Sequence, residues 1–377
     1  MRIAITGTRG IPNRYGGFEQ FAEGLSVRMV NKGQEVFVYN PEDHEFKENK
    51  FKGVNLIKIS APFKWNPPLS SLLYDFLCLK DALKREPDLI FNCGHTPSVF
   101  LKILKNPKKI PILFHMDGME WKRKKWGWFA RAYLRFSERL AVKWADYQIV
   151  DNLEIQYYYQ KKYGMTPANI AYGADIPTDN EVNKELLSEE YQELINEKSY
   201  YLVISRLEPE NNTDLILKAF LKSGTQDQLI LIGNTNTKFG KKLVKEYGEY
   251  QDIKFLGPIF DKQILNIFRR YSKAYVHGYS AGGTNPSLLE AMAASCTIFT
   301  HDNPYNRSVL GENAYYFSTV SLLKEYFRGL GKLEQKKDEK IRENLIKIKE
   351  NYSWDRVCEQ YANVFGEATK KGHQTNE

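Results

Sequence analysis

This sequence predicts an α/β chain made of two similar halves, and three observations carry the prediction. At 377 residues the chain is longer than the size at which a single core usually stops growing. Short apolar runs alternate with segments of helical period, as successive strand-helix-strand units do. The alternation stops at Gly173-Ala174-Asp175-Ile176-Pro177-Thr178-Asp179-Asn180, a turn-rich stretch that reads as a linker, and then begins again.

In the first half, strands are expected at 2–6, 35–39, 54–59, 88–92, 111–115 and 147–151. Helices are expected near 17–32, 69–85, 97–105, 124–144 and 153–163, the first with Phe18, Phe21, Leu25 and Met29 on one face. In the second half, strands near 200–205, 228–233, 253–256, 273–277, 297–300 and 314–317 flank helices near 212–222, 238–248, 261–271 and 286–295. After Ser318 the pattern turns helical and charged, and it ends in a helix from Trp354 through Ala368. The expected division is a first domain over 1–172, a second over 173–352, a closing helix over 353–369 and a tail over 370–377.

Composition narrows the class. Hydrophobic residues make up 42% of the chain, enough for two cores, and the mean hydropathy is −0.52. No run approaches the roughly twenty apolar residues of a spanning helix, and the start has no signal-peptide pattern, so a cytoplasmic chain is expected. Cys78, Cys93, Cys296 and Cys358 are isolated in apolar surroundings and read as reduced core residues.

The net charge of +8 calls for a partner. Much of it concentrates between Trp121 and Phe136, where Lys122, Arg123, Lys124, Lys125, Arg131 and Arg135 alternate with aromatic rings. That pattern suits the surface of an anionic bilayer. It also suits a helix that buries Phe129, Tyr133, Phe136 and Leu140 and leaves its cations in water, and both readings stay open. The apolar run from Pro67 to Leu77 reads as a core helix first and as a second lipid contact only after that.

Four segments carry candidate chemistry. The run from His277 to Ala293 joins a buried strand to a helix through a polar glycine turn, a natural anion seat. Within it Gly283, Thr284, Asn285 and Ser287 stand near the phosphate position, Pro286 occupies the first helical turn, and Glu290 sits where a carboxylate meets ribose hydroxyls. Asn285 and Ser287 equally suit capping of that helix. Arg206 follows the strand at 200–204, at the end where open α/β sheets bind ligands, and offers a fork of donors to a diphosphate. Its plain alternative is an ion pair with Glu208 or Glu210.

The loop from Gly7 to Glu19 enters the first helix through Gly16 and Gly17, which let backbone approach a ligand closely. Asp117 follows the strand at 111–115 and is the candidate for acceptor contact, with a turn aspartate beside Gly118 as the alternative. His115 and His277 end strands and are weaker ligand candidates than core residues. No Asp-x-Asp pair and no histidine spacing suits a metal, so neither metal nor cofactor is expected.

Together, Arg206-Leu207-Glu208-Pro209-Glu210 and Leu289-Glu290-Ala291-Met292 resemble the donor-binding motifs of family 4 retaining glycosyltransferases of GT-B fold. That fold sets two Rossmann-like domains facing across a cleft. The glycine loop at 7–19, the segment Asp117 to Arg123 and Gly283 to Ser287 resemble a subgroup known as rhamnosyltransferases of cell-surface polysaccharide synthesis. Two positions depart from the family pattern: Asn211 stands where a phosphate-binding Lys is usual, and Gly282 where the first Glu of a Glu-x7-Glu pair contacts the donor sugar.

The resemblance implies a metal-independent hexosyltransferase that keeps the anomeric configuration. It implies catalytic roles for Asp117 and Arg206, and donor contacts from Gly16, Gly17, Arg206, Gly283, Thr284, Asn285, Ser287 and Glu290. The implied reaction moves a 6-deoxyhexose, L-rhamnose from dTDP-L-rhamnose, to a lipid-diphosphate-linked saccharide at the inner face of the plasma membrane. Another nucleotide sugar, UDP- or GDP-linked, is the first alternative. A nicotinamide oxidoreductase is disfavoured because the first strand lacks a G-x-G-x-x-G turn. A nucleic-acid-binding role has only the basicity behind it, and no binding signature supports it.

Overall fold

The computed structural model describes residues 1–60, 63, 65–116, 118–123, 126–329 and 336–374. Within them the chain separates into two compact units: Met1–Lys122, Trp126–Gly173 and Trp354–Glu377 form the first, and Arg123–Lys125 with Ala174–Ser353 form the second.

The first unit is built on an eight-stranded sheet. Its strands are β1 (Arg2–Thr6), β2 (Glu35–Pro41), β3 (Lys50–Phe51), β4 (Val54–Ile59), β5 (Leu89–Cys93), β6 (Ile112–His115), β7 (Tyr147–Val150) and β8 (Ala168–Asn169), in the order β3-β4-β2-β1-β5-β6-β7-β8. Every pairing is parallel except β3 with β4. The central strands are buried along nearly their whole length, as parallel strands covered on both faces must be. Helices α1 (Gly17–Asn31), α2 (Pro67–Arg85), α3 (Trp128–Trp144) and α4 (Leu153–Tyr163) connect them.

The chain's last helix, Trp354–Gln374, belongs to this first unit and runs past the expected end at 369. Trp354 explains its docking. A Cβ on Gly24 of α1 would come within 2.2 Å of the indole, and one on Gly173 within 2.3 Å, so two glycines make the slot. Phe21 stacks on Trp354 at 6.3 Å, and Arg28 lies over the ring at 4.8 Å.

The second unit holds six parallel strands: β9 (Tyr200–Ile204), β10 (Gln228–Ile232), β11 (Ile253–Gly257), β12 (Ala274–His277), β13 (Ile298–His301) and β14 (Tyr315–Phe317). Their order is β11-β10-β9-β12-β13-β14. The helices in chain order are α5 (Glu189–Glu197), α6 (Thr213–Ser223), α7 (Lys238–Tyr247), α8 (Lys262–Tyr271), α9 (Pro286–Ala293), α10 (Pro304–Leu310), α11 (Val320–Arg328) and α12 (Lys337–Asn351). From β9 the chain winds outward through β10 and β11, then crosses back to β12 on the other side of β9. The strand order thus reverses between β9 and β12, the position at which such sheets bind ligands. In the first unit β1 and β5 stand in the same relation.

Three local expectations change. The helix expected at 97–105 is a short 3-10 turn, Thr96–Phe100. Its upstream carbonyls are taken by α3: Ser137 Oγ donates to His95 O at 3.0 Å and to Thr96 O at 2.7 Å, and Tyr133 Oη donates to Thr96 O at 2.9 Å. The helix expected from 124 starts at Trp128, because Gly127 is extended. On α3 the buried face is Leu134, Ser137, Glu138 and Ala141, while Phe129 and Phe136 are exposed rather than buried.

Candidate functional site

The most developed strand end is in the second unit. After β9 the chain turns through Ser205 and Arg206, and the loop is braced from inside. Asn211 Nδ2 donates to Arg206 O at 2.5 Å, Glu208 N donates to the same carbonyl at 2.9 Å, and Thr237 Oγ1 donates to Leu207 O at 2.8 Å. Asn211, at the position where the resembling family carries a lysine, thus turns its amide into its own loop as a strut.

The loop after β12 is stitched to this one. Ser280 donates to Glu210 O through its N–H at 3.0 Å and its Oγ at 2.8 Å, and Asn212 Nδ2 donates to Gly278 O at 2.8 Å. Gly278 lies so close that a Cβ there would sit 2.1 Å from Asn211 O. A substituent at Gly278 would force the loops apart.

On this scaffold Arg206 is exposed, and its guanidinium makes no ion pair among the described residues. The expected pairing with Glu208 or Glu210 does not form. Glu210 is instead 4% exposed, and neither carboxylate oxygen has a hydrogen-bond partner. Ser205 Oγ, Asn211 Oδ1, Thr213 Oγ1 and Thr300 Oγ1 are also buried without partners. Buried polar atoms are normally satisfied, so such a cluster at a sheet's switch point makes this strand end the candidate for a polar ligand or ordered water.

The glycine turn divides its donors. Asn285 caps α9, accepting from Ser287 N at 2.9 Å, and Asn285 O accepts from Leu288 N at 3.0 Å. The first helical turn therefore satisfies itself. The N–H groups of Gly282 and Gly283, just before it, have no partner among the described residues, so the open backbone donors lie in the loop rather than in the helix. Gly282 has φ +109°, and a Cβ there would meet the Tyr279 hydroxyl at 2.4 Å, so this backbone accepts no glutamate in place of the glycine. Thr284 is buried in the same turn.

Glu290 faces Arg269, whose Nη2 lies 2.5 Å from Glu290 Oε2, and the same nitrogen donates to Ser287 Oγ at 3.3 Å. His277 ends β12 at 4% exposure, its ring between Tyr275 and Tyr279 and its Nε2 unpartnered. Burial first, and His301 second, lower its pKa to about 3, so the ring is neutral.

In the first unit the loop after β1 is held by side chains. Arg9 N donates to Glu19 Oε1 at 2.7 Å, and Arg9 Nη1 meets Asp75 Oδ1 at 2.8 Å. Asn13 Oδ1 accepts from Tyr15 N at 3.0 Å and from Gly16 N at 3.2 Å, and Asn40 exchanges two bonds with Ile11. Gly16 is extended and precedes Gly17, the first residue of α1. The glycines this loop cannot replace are Gly7 and Gly10, with φ of +78° and +93°; a Cβ on Gly7 would meet Cys93 O at 2.3 Å. His115 is fully buried among Phe18, Phe21, Phe91 and Tyr172, and desolvation lowers its pKa to about 3. Asp117 lies outside the described residues.

Two features had no advance signal. His95, at the end of β5, is buried with both ring nitrogens unpartnered, and burial lowers its pKa against the pull of Glu138 and Glu120. Glu138 of α3 accepts from Trp121 Nε1 at 3.0 Å, Tyr158 Oη at 2.7 Å, Lys162 Nζ at 2.8 Å and Tyr163 Oη at 2.6 Å. Burial pushes its carboxyl up, but those donors outweigh it and hold the pKa below the usual value.

Among the described residues no group of three His, Cys, Asp or Glu side chains is placed to hold a metal ion, and no helix is long and apolar enough to cross a membrane.

Comparison with known proteins supplies the family context. Residues 188–352 match the family of glycosyl transferases group 1, and residues 1–175 match a domain of unknown function, DUF1972. A probable sucrose-phosphate synthase of Thermosipho melanesiensis is 23% identical over 173 residues, 43% of this chain; the match spans 40% of that relative's length. Among solved structures, the sucrose-phosphate synthase of Thermosynechococcus elongatus superposes with a TM-score of 0.79 at 15% identity, covering 97% of this chain and 98% of the other. Anabaena HepE in complex with UDP-glucose gives 0.74 at 14% identity, covering 97% and 99%. These likenesses establish the GT-B fold, and the match to glycosyl transferases group 1 falls within the second unit.

Proposed function

We propose that this chain is a retaining glycosyltransferase that draws its sugar from a nucleoside diphosphate donor held at the β9 and β12 strand ends. The observation that carries the reading is the pairing of an exposed Arg206, free of ion pairs among the described residues, with the open N–H groups of Gly282 and Gly283 on mutually braced loops. A diphosphate needs both a bidentate cation and fixed backbone donors, and a rigid loop supplies them without reorganisation. Arg206 then stabilises the charge that grows on the departing diphosphate. Glu290 takes the hydroxyls of the nucleoside pentose, the 3′-hydroxyl alone where the donor is dTDP-linked, and Thr284, Asn285 and Ser287 line the turn. No metal ion is required in this reading. The reading also assigns donor contact to Gly16 and Gly17 and acceptor contact to Asp117, and its weakest candidates are His115 of the first unit and His277 of the second.

For the sugar we propose a 6-deoxyhexose, L-rhamnose carried on dTDP, with a lipid-linked saccharide as acceptor. Gly282 supports it, because no carboxylate stands there to hold further sugar hydroxyls. UDP-glucose is the second reading, favoured by the HepE complex of similar fold. Trp128 and Phe129, 70% and 71% exposed beside Arg131 and Arg135, support attachment to an anionic membrane. Calorimetric titration of dTDP-L-rhamnose, UDP-glucose, GDP-mannose and NADH in the presence of EDTA tests the set. Selective dTDP-L-rhamnose binding supports the full reading. Preference for another nucleotide sugar removes rhamnose, a requirement for added metal removes metal independence, and binding of NADH alone removes the glycosyltransferase reading.

A further inference from the structure

Glu290 is not positioned by its own helix alone. Arg269, near the end of α8, is 1% exposed, yet its guanidinium reaches three side chains: Glu290 at 2.5 Å, Asn266 at 3.0 Å and Ser287 at 3.3 Å. Ser287 Oγ lies 2.8 Å from the Tyr275 hydroxyl, which donates to Ile204 O at 3.1 Å. One buried cation thus links α8, the start of α9, β12 and the last residue of β9, from which the Arg206 loop departs.

Stability alone is a poor explanation for that arrangement. Burying a guanidinium costs free energy that its partner only repays, and apolar residues of similar volume serve as well or better. Leu265, Ile267 and Phe268 on the same helix show the ordinary alternative. A buried pair is better explained by what it orients, and here the oriented group is the carboxylate at the ribose position.

We propose that Arg269 is a positioning residue for nucleotide recognition: it holds the Glu290 carboxylate in the orientation that accepts the pentose hydroxyls of the donor, both in a UDP nucleotide and the 3′-hydroxyl alone in a dTDP nucleotide. The inference rests on the donor site proposed above and divides its labour. Arg206 and the loop N–H groups act on the diphosphate, while Arg269 acts on the nucleoside through Glu290. A ligand without ribose hydroxyls separates the two.

The experiment measures dissociation constants of UDP and of 2′,3′-dideoxyuridine diphosphate for the wild type, Arg269→Met and Arg269→Lys. Arg269→Met is expected to weaken UDP about tenfold, the scale of one charge-assisted contact, and the dideoxy nucleotide by less than about twofold. Arg269→Lys keeps the charge but not the fork, and recovers part of the loss. In turnover, the donor KM rises while kcat holds. Equal losses for the two nucleotides, or no loss for either, overturn the proposal. Should Arg269→Met fail to fold, Glu290→Gln keeps the shape of the side chain and must erase the preference for UDP over its dideoxy analogue; a retained preference overturns the proposal as well. Wild-type protein that binds neither nucleotide removes the donor site itself, an outcome distinct from UDP binding that is indifferent to Arg269.

Discussion

The glycine loop after β1 and the glycine turn after β12 each leave a strand beside the switch point of its own sheet, β1 before the crossover and β12 after it, yet they spend their polar groups differently. In the first, Arg9 is paired with Asp75, and Asn13 and Asn40 tie down the backbone. In the second, the struts are Asn211, Asn212 and Ser280, and Arg206 with two glycine N–H groups is left over. A glycine-rich strand end is therefore not by itself a ligand site. What distinguishes one is a surplus of donors after the loop has satisfied itself.

Where the two units agree, the agreement can be tested first. His115 and His277 each end a strand, and each has a pKa lowered to about 3. Below the ordinary value near 6.5 the unfolded chain binds a proton that the folded chain refuses, so the stability present above 6.5 drains away as pH falls toward 3. The full effect is on the order of 5 kcal/mol per histidine. Urea denaturation across that range should show the slope, and His115→Phe and His277→Phe should each flatten it. An unaltered slope in either variant breaks the parallel.

The next largest effect belongs to the first unit alone. Removing Glu138 strands two tyrosine hydroxyls, an indole N–H and Lys162, and Glu138→Ala should cost about 3 kcal/mol in chemical denaturation. In the second unit Arg206→Ala should lower turnover about a hundredfold, roughly 2.7 kcal/mol, while leaving the melting temperature unchanged. A stability loss in place of a turnover loss would assign Arg206 to the scaffold. The smallest effect concerns Trp128 and Phe129: replacing both with serine should reduce sedimentation with phosphatidylserine vesicles about tenfold, near 1.4 kcal/mol. Undiminished sedimentation would move the membrane contact elsewhere.

Much of this contrast is legible in the sequence. The strands β1, β2, β9, β10 and β12 stand where their apolar runs predict, and the Arg206 and Glu290 segments fall at strand ends because a parallel sheet sends every strand to the same edge. Helix 97–105 failed because its carbonyls were taken by Tyr133 and Ser137, residues far along the chain. Gly173 reads as a linker glycine, and only the distant Trp354 reveals it as half of a slot. The hairpin of β3 and β4 turns at Lys52-Gly53, where both residues have positive φ, as a tight two-residue turn requires, and only Gly53 marks it in the sequence. His95, Glu138 and Arg269 left no trace, since a buried polar residue looks like a surface one until its partners are known.

The central claim is that Arg206 at the second strand end is available to a diphosphate, whereas Arg9 at the first is spent on Asp75. Calorimetric titration of UDP and dTDP into the wild type, Arg206→Ala and Arg9→Ala tests it most directly. Arg9→Ala should cost about 2 kcal/mol of stability by stranding Asp75 and leave the dissociation constant within about twofold, whereas Arg206→Ala should weaken binding about a hundredfold at unchanged stability. Nucleotide binding that survives Arg206→Ala, or that is lost with Arg9→Ala in protein still folded, would contradict the account.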